Sequence, residues 1–148
     1  MQKSSGLHNK YRPDSLDSVV GSSRAVSVLK GYIERGEFPS AIMFLGPPSS
    51  GKTTLARAFA SDVLGMQADT SPNMEETNLS DSRSIDDIRG LISTARLRPL
   101  NGPRRFIYCD EAHGVLSNNP AANALLKPLE EPTRTTTWIL SSMEPEKF

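Results

Sequence analysis

Gly46-Pro-Pro-Ser-Ser-Gly-Lys-Thr53 limits the folds open to this chain more than any other stretch, because it matches G-x-x-x-x-G-K-[ST] at every fixed position. Such a phosphate-binding P-loop works only between a strand and a helix. The apolar run Ala41-Ile-Met-Phe-Leu45 before it has strand composition. After it, Thr54 to Leu64 carries Leu55, Phe59 and Val63 at helical spacing, and Gly65 follows as a stop. In that setting the loop residues Gly46, Pro47, Pro48, Ser49, Ser50 and Gly51 are expected to curl into an anion nest. The helix starting near Lys52 adds unpaired amides and the positive end of its dipole. Lys52 is expected to reach the β- and γ-phosphates, the Thr53 hydroxyl to help hold Mg²⁺, and Thr54 to complete the cradle. The stretch reads as a nucleotide site.

The rest of the chain is compatible with one such domain. It has 148 residues, 36% of them apolar and 23% charged, and a formal net charge of zero. No apolar run approaches the ~20 residues of a membrane span, and the start does not read as a signal peptide. A single cysteine, Cys109, excludes a disulfide framework and a cysteine zinc site, and is expected to be a buried strand thiol. A reducing compartment fits. Charge is unevenly spread: Asp69 to Asp87 holds six acids against Arg83, whereas Ile88 to Tyr108 holds five arginines and no acid. A solvated helix face is the default meaning of such a run, and a surface for a polyanion is the alternative.

In chain order, residues 1–9 read as a flexible N-terminal segment and residues 10–148 as the core. Ser22 or Ser23 can cap a first helix carrying Val26, Leu29 and Ile33, closed by Gly36. Met74 to Asn78 is a short strand candidate. Ser84-Ile-Asp-Asp87 resembles a capping box opening a helix with Ile85, Ile88, Leu91, Ile92 and Ala95 on one stripe, ended by Pro99. A strand over 106–109 ends in two acids. Asn119 and Pro120 open the next helix, where Pro128 is expected to force a kink or an end near Lys127. Thr135 to Leu140 is a last strand, followed by Ser141, Ser142 and Met143. Strands alternating with helices predict an α/β fold, a parallel sheet flanked by helices on both faces.

Arg105-Phe-Ile-Tyr-Cys-Asp110-Glu111 has the form of a Walker B element, an apolar strand delivering carboxylates to its C-terminal end. Asp110 is expected to hold Mg²⁺ through water and Glu111 to orient the attacking water. Asp110-Glu-Ala-His113 also spells the DEAH box of a helicase class, with Ser141-Ser142-Met143 imitating the small-residue motif that follows it there. A helicase needs a second motor domain, so His113 is read as incidental. The reading of the site requires the Lys52 loop and the 110–111 carboxylates to lie close enough for one metal ion to serve both.

Taken together, these stretches resemble the AAA+ ATPase subunits of sliding-clamp loaders, the replication factor C small subunits and the bacterial tau/gamma subunit. Lys10-Tyr-Arg-Pro13 with Val19-Val-Gly21 is similar to the family's amino-terminal segment, which implies that Tyr11, Arg12, Pro13, Val19 and Val20 pack against the adenine. Asn78-Leu-Ser-Asp-Ser-Arg-Ser-Ile-Asp86 leading to Ile88-Arg89-Gly90 is close to a replication factor C pattern, and Asn123-Ala-Leu-Leu-Lys-Pro-Leu-Glu-Glu-Pro132 nearly repeats a bacterial one. The resemblance runs from about residue 8 to the end. It implies a P-loop NTPase of the AAA+, RecA-like type that uses ATP and Mg²⁺, acts with other loader subunits in a pentamer-like assembly, and places a sliding clamp on primer-template DNA. It also implies phosphate contacts from Arg83 and Arg89, and restraint of Glu111 by Asn78. A cytoplasmic location is implied, or a nuclear one in a eukaryote.

The departures from the family pattern set further expectations. The zinc-binding cysteines of bacterial tau/gamma are absent, so no zinc is expected. Pro128 stands where Thr or Ser is usual. The γ-phosphate sensor position aligns with Met143, with Ser142 beside it as a substitute. The Ser-Arg-Cys arginine-finger motif, the lid domain and the collar do not occur within residues 1–148, so an incomplete core is expected, able to bind ATP and weak in hydrolysing it. The alternatives are another P-loop motor, such as a DEAH-type helicase core, and a non-hydrolysing structural loader subunit.

Overall fold

Four strands, β1 (Ala41–Leu45), β2 (Met74–Asn78), β3 (Arg105–Asp110) and β4 (Thr136–Ser142), pair in the order β1-β4-β3-β2, and every pairing is parallel. The structure is a computed structural model, and it describes residues 15–46, 51–68, 71–79, 85–117 and 119–142. Parallel neighbours need crossover connections, and helices supply them. α1 (Ser23–Arg35) precedes β1, and the crossovers carry α2 (Lys52–Leu64), α3 (Ile85–Ala95) and α4 (Asn119–Glu130), with short 3₁₀ turns at Leu16–Ser18 and Ala112–Ser117. The two central strands are the most buried, β4 along its whole length and β3 through Cys109. Such strands read as continuous runs rather than alternating ones.

Side chains two apart share a face of the sheet, and the core divides accordingly. Phe106, Tyr108 and Ile139 meet Leu29 of α1 and Leu55 and Phe59 of α2. Ile107, Cys109, Trp138 and Leu140 meet Ile88, Leu91 and Ile92 of α3 and Leu125 of α4. Helices thus cover both faces, as the alternation of elements predicts. Ala56, Ala58 and Ala60 are fully buried around Phe59, so α2 lies close on the sheet. There the Phe59 ring sits edge-on to Phe106 at 5.6 Å. Cys109 is the expected buried strand thiol, and burial pushes its pKa up to about 12.

Several local expectations need correcting. Ser22 precedes α1 but has φ 50 and makes no side-chain cap hydrogen bond. The third helix ends at Ala95, as Pro99 requires: proline has no amide to give the Ala95 carbonyl, and the Thr136 hydroxyl donates to that carbonyl instead at 2.6 Å. The next amides, of Arg96 and Leu97, then close tighter turns onto Ser93 and Thr94. Pro128 neither ends nor interrupts α4, which continues to Glu130; the Glu131 amide still reaches the Lys127 carbonyl at 2.9 Å, so a single ladder bond is forgone. Ser141 and Ser142 belong to β4 rather than following it, since they pair with Phe44 and Leu45 of β1.

The arginine run is only partly a solvated face. Arg105 is 5% exposed and directs its guanidinium at the carbonyls of Leu97, Pro72 and Arg98, at 3.3, 3.4 and 3.0 Å. Arg104 lies over the Phe38 ring at 5.0 Å and donates to the Arg134 carbonyl. Arg89, Arg96 and Arg98 are exposed. Replacing Arg105 by Met is therefore expected to lower stability by about 1–3 kcal/mol, because three partly buried carbonyls lose their donor. Arg98→Met should cost less than ~0.5 kcal/mol. Urea unfolding of the two variants measures the difference, and equal midpoints would contradict it.

Candidate active site

Parallel pairing brings the carboxyl ends of all four strands to one edge of the sheet, where ligands bind in open α/β folds. The register makes this concrete: Leu45 lies opposite Ser142, and Asn78 opposite Asp110. The loop after β1 and the carboxylates after β3 are separated by β4 alone, on the order of 10 Å at the usual strand spacing.

The phosphate loop leaves β1 at Gly46, whose amide donates to the Ser142 carbonyl at 3.2 Å. Gly51, directly before α2, has φ 84, a left-handed conformation that favours glycine. Lys52 opens α2, and its Nζ donates to the Gly46 carbonyl at 2.5 Å, so the ammonium lies back toward the end of β1. Thr53 is half-buried one residue further on, with its Oγ1 3.1 Å from the Tyr108 hydroxyl. Burial raises the Tyr108 pKa above the usual phenol value.

On the other side, Asp110 ends β3, and its Oδ1 accepts from the Glu111 amide at 2.9 Å and from the Ser141 hydroxyl at 3.2 Å. Glu111 has φ 50, an uncommon and strained setting for a residue with a β-carbon. That turn aims its carboxylate at Asn78, whose Nδ2 donates to Oε2 at 2.8 Å. The Leu79 amide donates to the Asp110 carbonyl at 2.9 Å and fixes the end of β2 to the same place. His113, expected to be incidental, lies with Nδ1 3.1 Å from the Ser142 hydroxyl and so ties the turn after Glu111 to β4.

Lys52, Thr53, Asp110, Glu111, Asn78, Gly46 and Ser142 therefore gather at one edge, and Thr54 lies half-buried beside Thr53 in the first turn of α2. Val19 packs against the α1–α2 core, whereas Val20 is 96% exposed. Arg89 stands apart, exposed on α3 with Asp86 at 3.7 Å. It shares a groove of about 530 Å³ between α3 and α4 with Arg96 and Lys127. Tyr11, Arg12, Pro13, Pro47, Pro48, Ser49, Ser50, Arg83 and Met143 lie outside the described residues. Sequence reasoning missed Tyr108 and Ser141. Their only signal was position, two residues before Asp110 and next to Ser142, and without the register nothing joined them.

Among the described residues no group of three or more His, Cys, Asp and Glu side chains could hold a metal by itself. The donors present are one hydroxyl and a carboxylate, hard oxygens too few for a protein cage. They suit Mg²⁺, which keeps waters and shares its ligands with substrate phosphates.

A family model described as DNA polymerase III, delta subunit, matches residues 21–148. The chain is 40% identical over 133 residues to the replication factor C small subunit of Methanothermobacter thermautotrophicus, across 89% of this chain and 40% of that protein. It spans about two-fifths of that relative's length. Among solved structures, the Thermotoga maritima RuvB Holliday junction branch migration motor superposes with a TM-score of 0.72 at 23% identity, covering 93% of this chain and 44% of that one. A DNA polymerase III gamma subunit-related protein from Thermotoga maritima gives 0.65 at 23% identity, over 82% and 40%. These likenesses establish the AAA+ P-loop fold.

Proposed function

Because the chain belongs to the DNA polymerase III delta subunit family, AAA+ proteins of the clamp-loader class, we propose that it is the nucleotide-binding part of an ATP-hydrolysing loader subunit. Its work would be to help place a sliding clamp on primer-template DNA, alongside other loader subunits, in the cytoplasm or in a eukaryotic nucleus. The observation that carries this reading is the convergence of Lys52 and Thr53 with Asp110 and Glu111 at one sheet edge, joined through β4. The replication factor C relative supports the loader role over other uses of the same fold.

In this mechanism Gly46 to Gly51 wrap the phosphates of ATP, and Lys52 swings from the Gly46 carbonyl to the β- and γ-phosphates. Thr53 and Asp110 would hold Mg²⁺, which when bound would neutralise charge on those phosphates. Glu111 orients the attacking water once it leaves Asn78, so the 2.8 Å Asn78–Glu111 bond acts as a restraint that DNA contact releases. Ser142, at the end of the strand between the two halves, would stand in for Met143 in registering the γ-phosphate. Arg89, with Arg83, would contact the DNA backbone, giving orientation and salt-dependent affinity without reading sequence. The three cations Arg89, Arg96 and Lys127 lining one groove support this use, although Asp86 pairs with Arg89 at 3.7 Å.

The His113–Ser142 contact favours a second reading, a helicase-type motor in which the Asp110–His113 box is coupled to β4. Strand separation by the assembled protein would support it, and clamp- and primer-dependent ATP turnover supports the loader.

Lys52→Ala is expected to weaken ATP binding at least a hundredfold in calorimetric titration, since the loop loses its only positioned cation; unchanged affinity would refute the cradle. Glu111→Gln should leave binding intact and reduce turnover by roughly 10²-fold or more in the assembled loader, whereas Asn78→Ala should raise DNA-independent turnover. A Glu111→Gln enzyme turning over normally would remove that side chain from the mechanism. Replacing Arg83 and Arg89 together should lower the slope of log affinity for DNA against log salt by about two; an unaltered slope would leave these arginines as solvated surface.

A further inference from the structure

An enclosed ion pair joins the helix that starts at Lys52 to the strand that ends at Asn78, and the nucleotide chemistry above does not use it. Arg57 of α2 donates from Nε to Glu76 Oε2 and from Nη2 to Glu76 Oε1, each at 2.7 Å. Both carboxylate oxygens are engaged, in the forked geometry that a guanidinium offers and an ammonium does not. The two side chains are 26% and 28% exposed, whereas every other ion pair among the described residues has a partner more than 80% exposed. Exposed pairs of that kind hold little in place, and an enclosed fork holds more.

The register sets this pair one row behind the site. Glu76 lies opposite Tyr108, and two residues further on Asn78 lies opposite Asp110. Alternation puts Met74, Glu76 and Asn78 on one face of β2, and Met74 packs into the core shared with α1 and α2. On α2, Thr53 and Arg57 are four positions apart and share a stripe. Thr53 meets Tyr108 at 3.1 Å and Arg57 meets Glu76, so one helix grips the same row of two strands. Among the described residues β2 is an edge strand, paired with β3 alone. With no strand on its outer side, its contact with α2 carries more of the task of fixing it.

We propose that Arg57 is a positioning residue for the Asn78–Glu111 restraint: its fork to Glu76 holds β2 against α2 and keeps the Asn78 amide within reach of the Glu111 carboxylate. The inference rests on the proposed role of Asn78 in restraining Glu111. A hydrogen bond of 2.8 Å is lost after a displacement of less than ~1 Å, so a small drift at the end of β2 is enough to free the carboxylate.

The test is ATP turnover by the assembled loader, without DNA and with saturating primer-template DNA. The variants are Arg57→Met, Glu76→Thr, the exchange of Arg57→Glu with Glu76→Arg, and Asn78→Ala. Each single change at 57 or 76 should raise the DNA-independent rate about three- to tenfold, the worth of one hydrogen bond, and leave ATP affinity within about twofold of the parent. The exchange restores opposite charges and should bring that rate back toward the parent. Adding Arg57→Met to Asn78→Ala should raise it no further, because both break one restraint. Melting temperature is followed in parallel: a merely structural pair would lower it and leave the ratio of the two rates in place. Threonine suits a strand, so Glu76→Thr decides the matter should Arg57→Met fail to fold. With the Asn78→Ala rate raised, parent-like rates in the variants at 57 and 76, or effects that multiply with Asn78→Ala, overturn the brace alone. A parent-like rate in Asn78→Ala overturns the restraint and the brace with it.

Discussion

The main-chain pairing of β4 between β1 and β3 is what turns two distant stretches of sequence into one site. Its last two residues face opposite neighbours. The Ser142 carbonyl holds the first amide of the phosphate loop, and the Ser141 hydroxyl holds Asp110. Without that strand the loop and the carboxylates would be separate features of two edges. The hydrophobic side chains that drive the pairing, Trp138, Ile139 and Leu140, point alternately to the two cores. Burial on both faces therefore fixes the register on which the polar contacts at the strand end depend.

Much of this was legible in the amino-acid order. The strand, loop and helix around Lys52 carry their own punctuation, and so does the apolar strand ending in Asp110 and Glu111. Local patterns of this kind need only near neighbours to be read. The resemblance to clamp-loader subunits added Asn78, which the structure brings to 2.8 Å from Glu111. What stayed hidden is non-local. Tyr108 looks like one more core residue until its partner strand and the opposing helix are known. Arg105 looks like part of a basic patch until carbonyls from three residues are seen to converge on it. The carbonyl that Pro99 leaves open at the end of α3 is met by a hydroxyl from β4, 41 positions away. Pro128 was over-read, since the rule against interior proline counts one lost bond and not the packing of Leu125 and Leu129 that holds the turn down.

Charge at the edge is handled by geometry rather than by clustering. One lysine, one hydroxyl and two carboxylates are held by neighbours that are main chain, amide or hydroxyl. That suits a site in which a polyanionic substrate arrives with its own metal and must also leave.

Glu111 carries a last consequence. Its left-handed backbone costs on the order of 1–3 kcal/mol that glycine would largely avoid and asparagine would lessen. A laboratory selection that rewarded only heat tolerance or expression would therefore favour Gly or Asn at this position. The sturdier proteins it returned would be those that had given up the side chain facing the water. Robustness and turnover are opposed at a single peptide unit, so library screens on this scaffold need an activity readout from the first round.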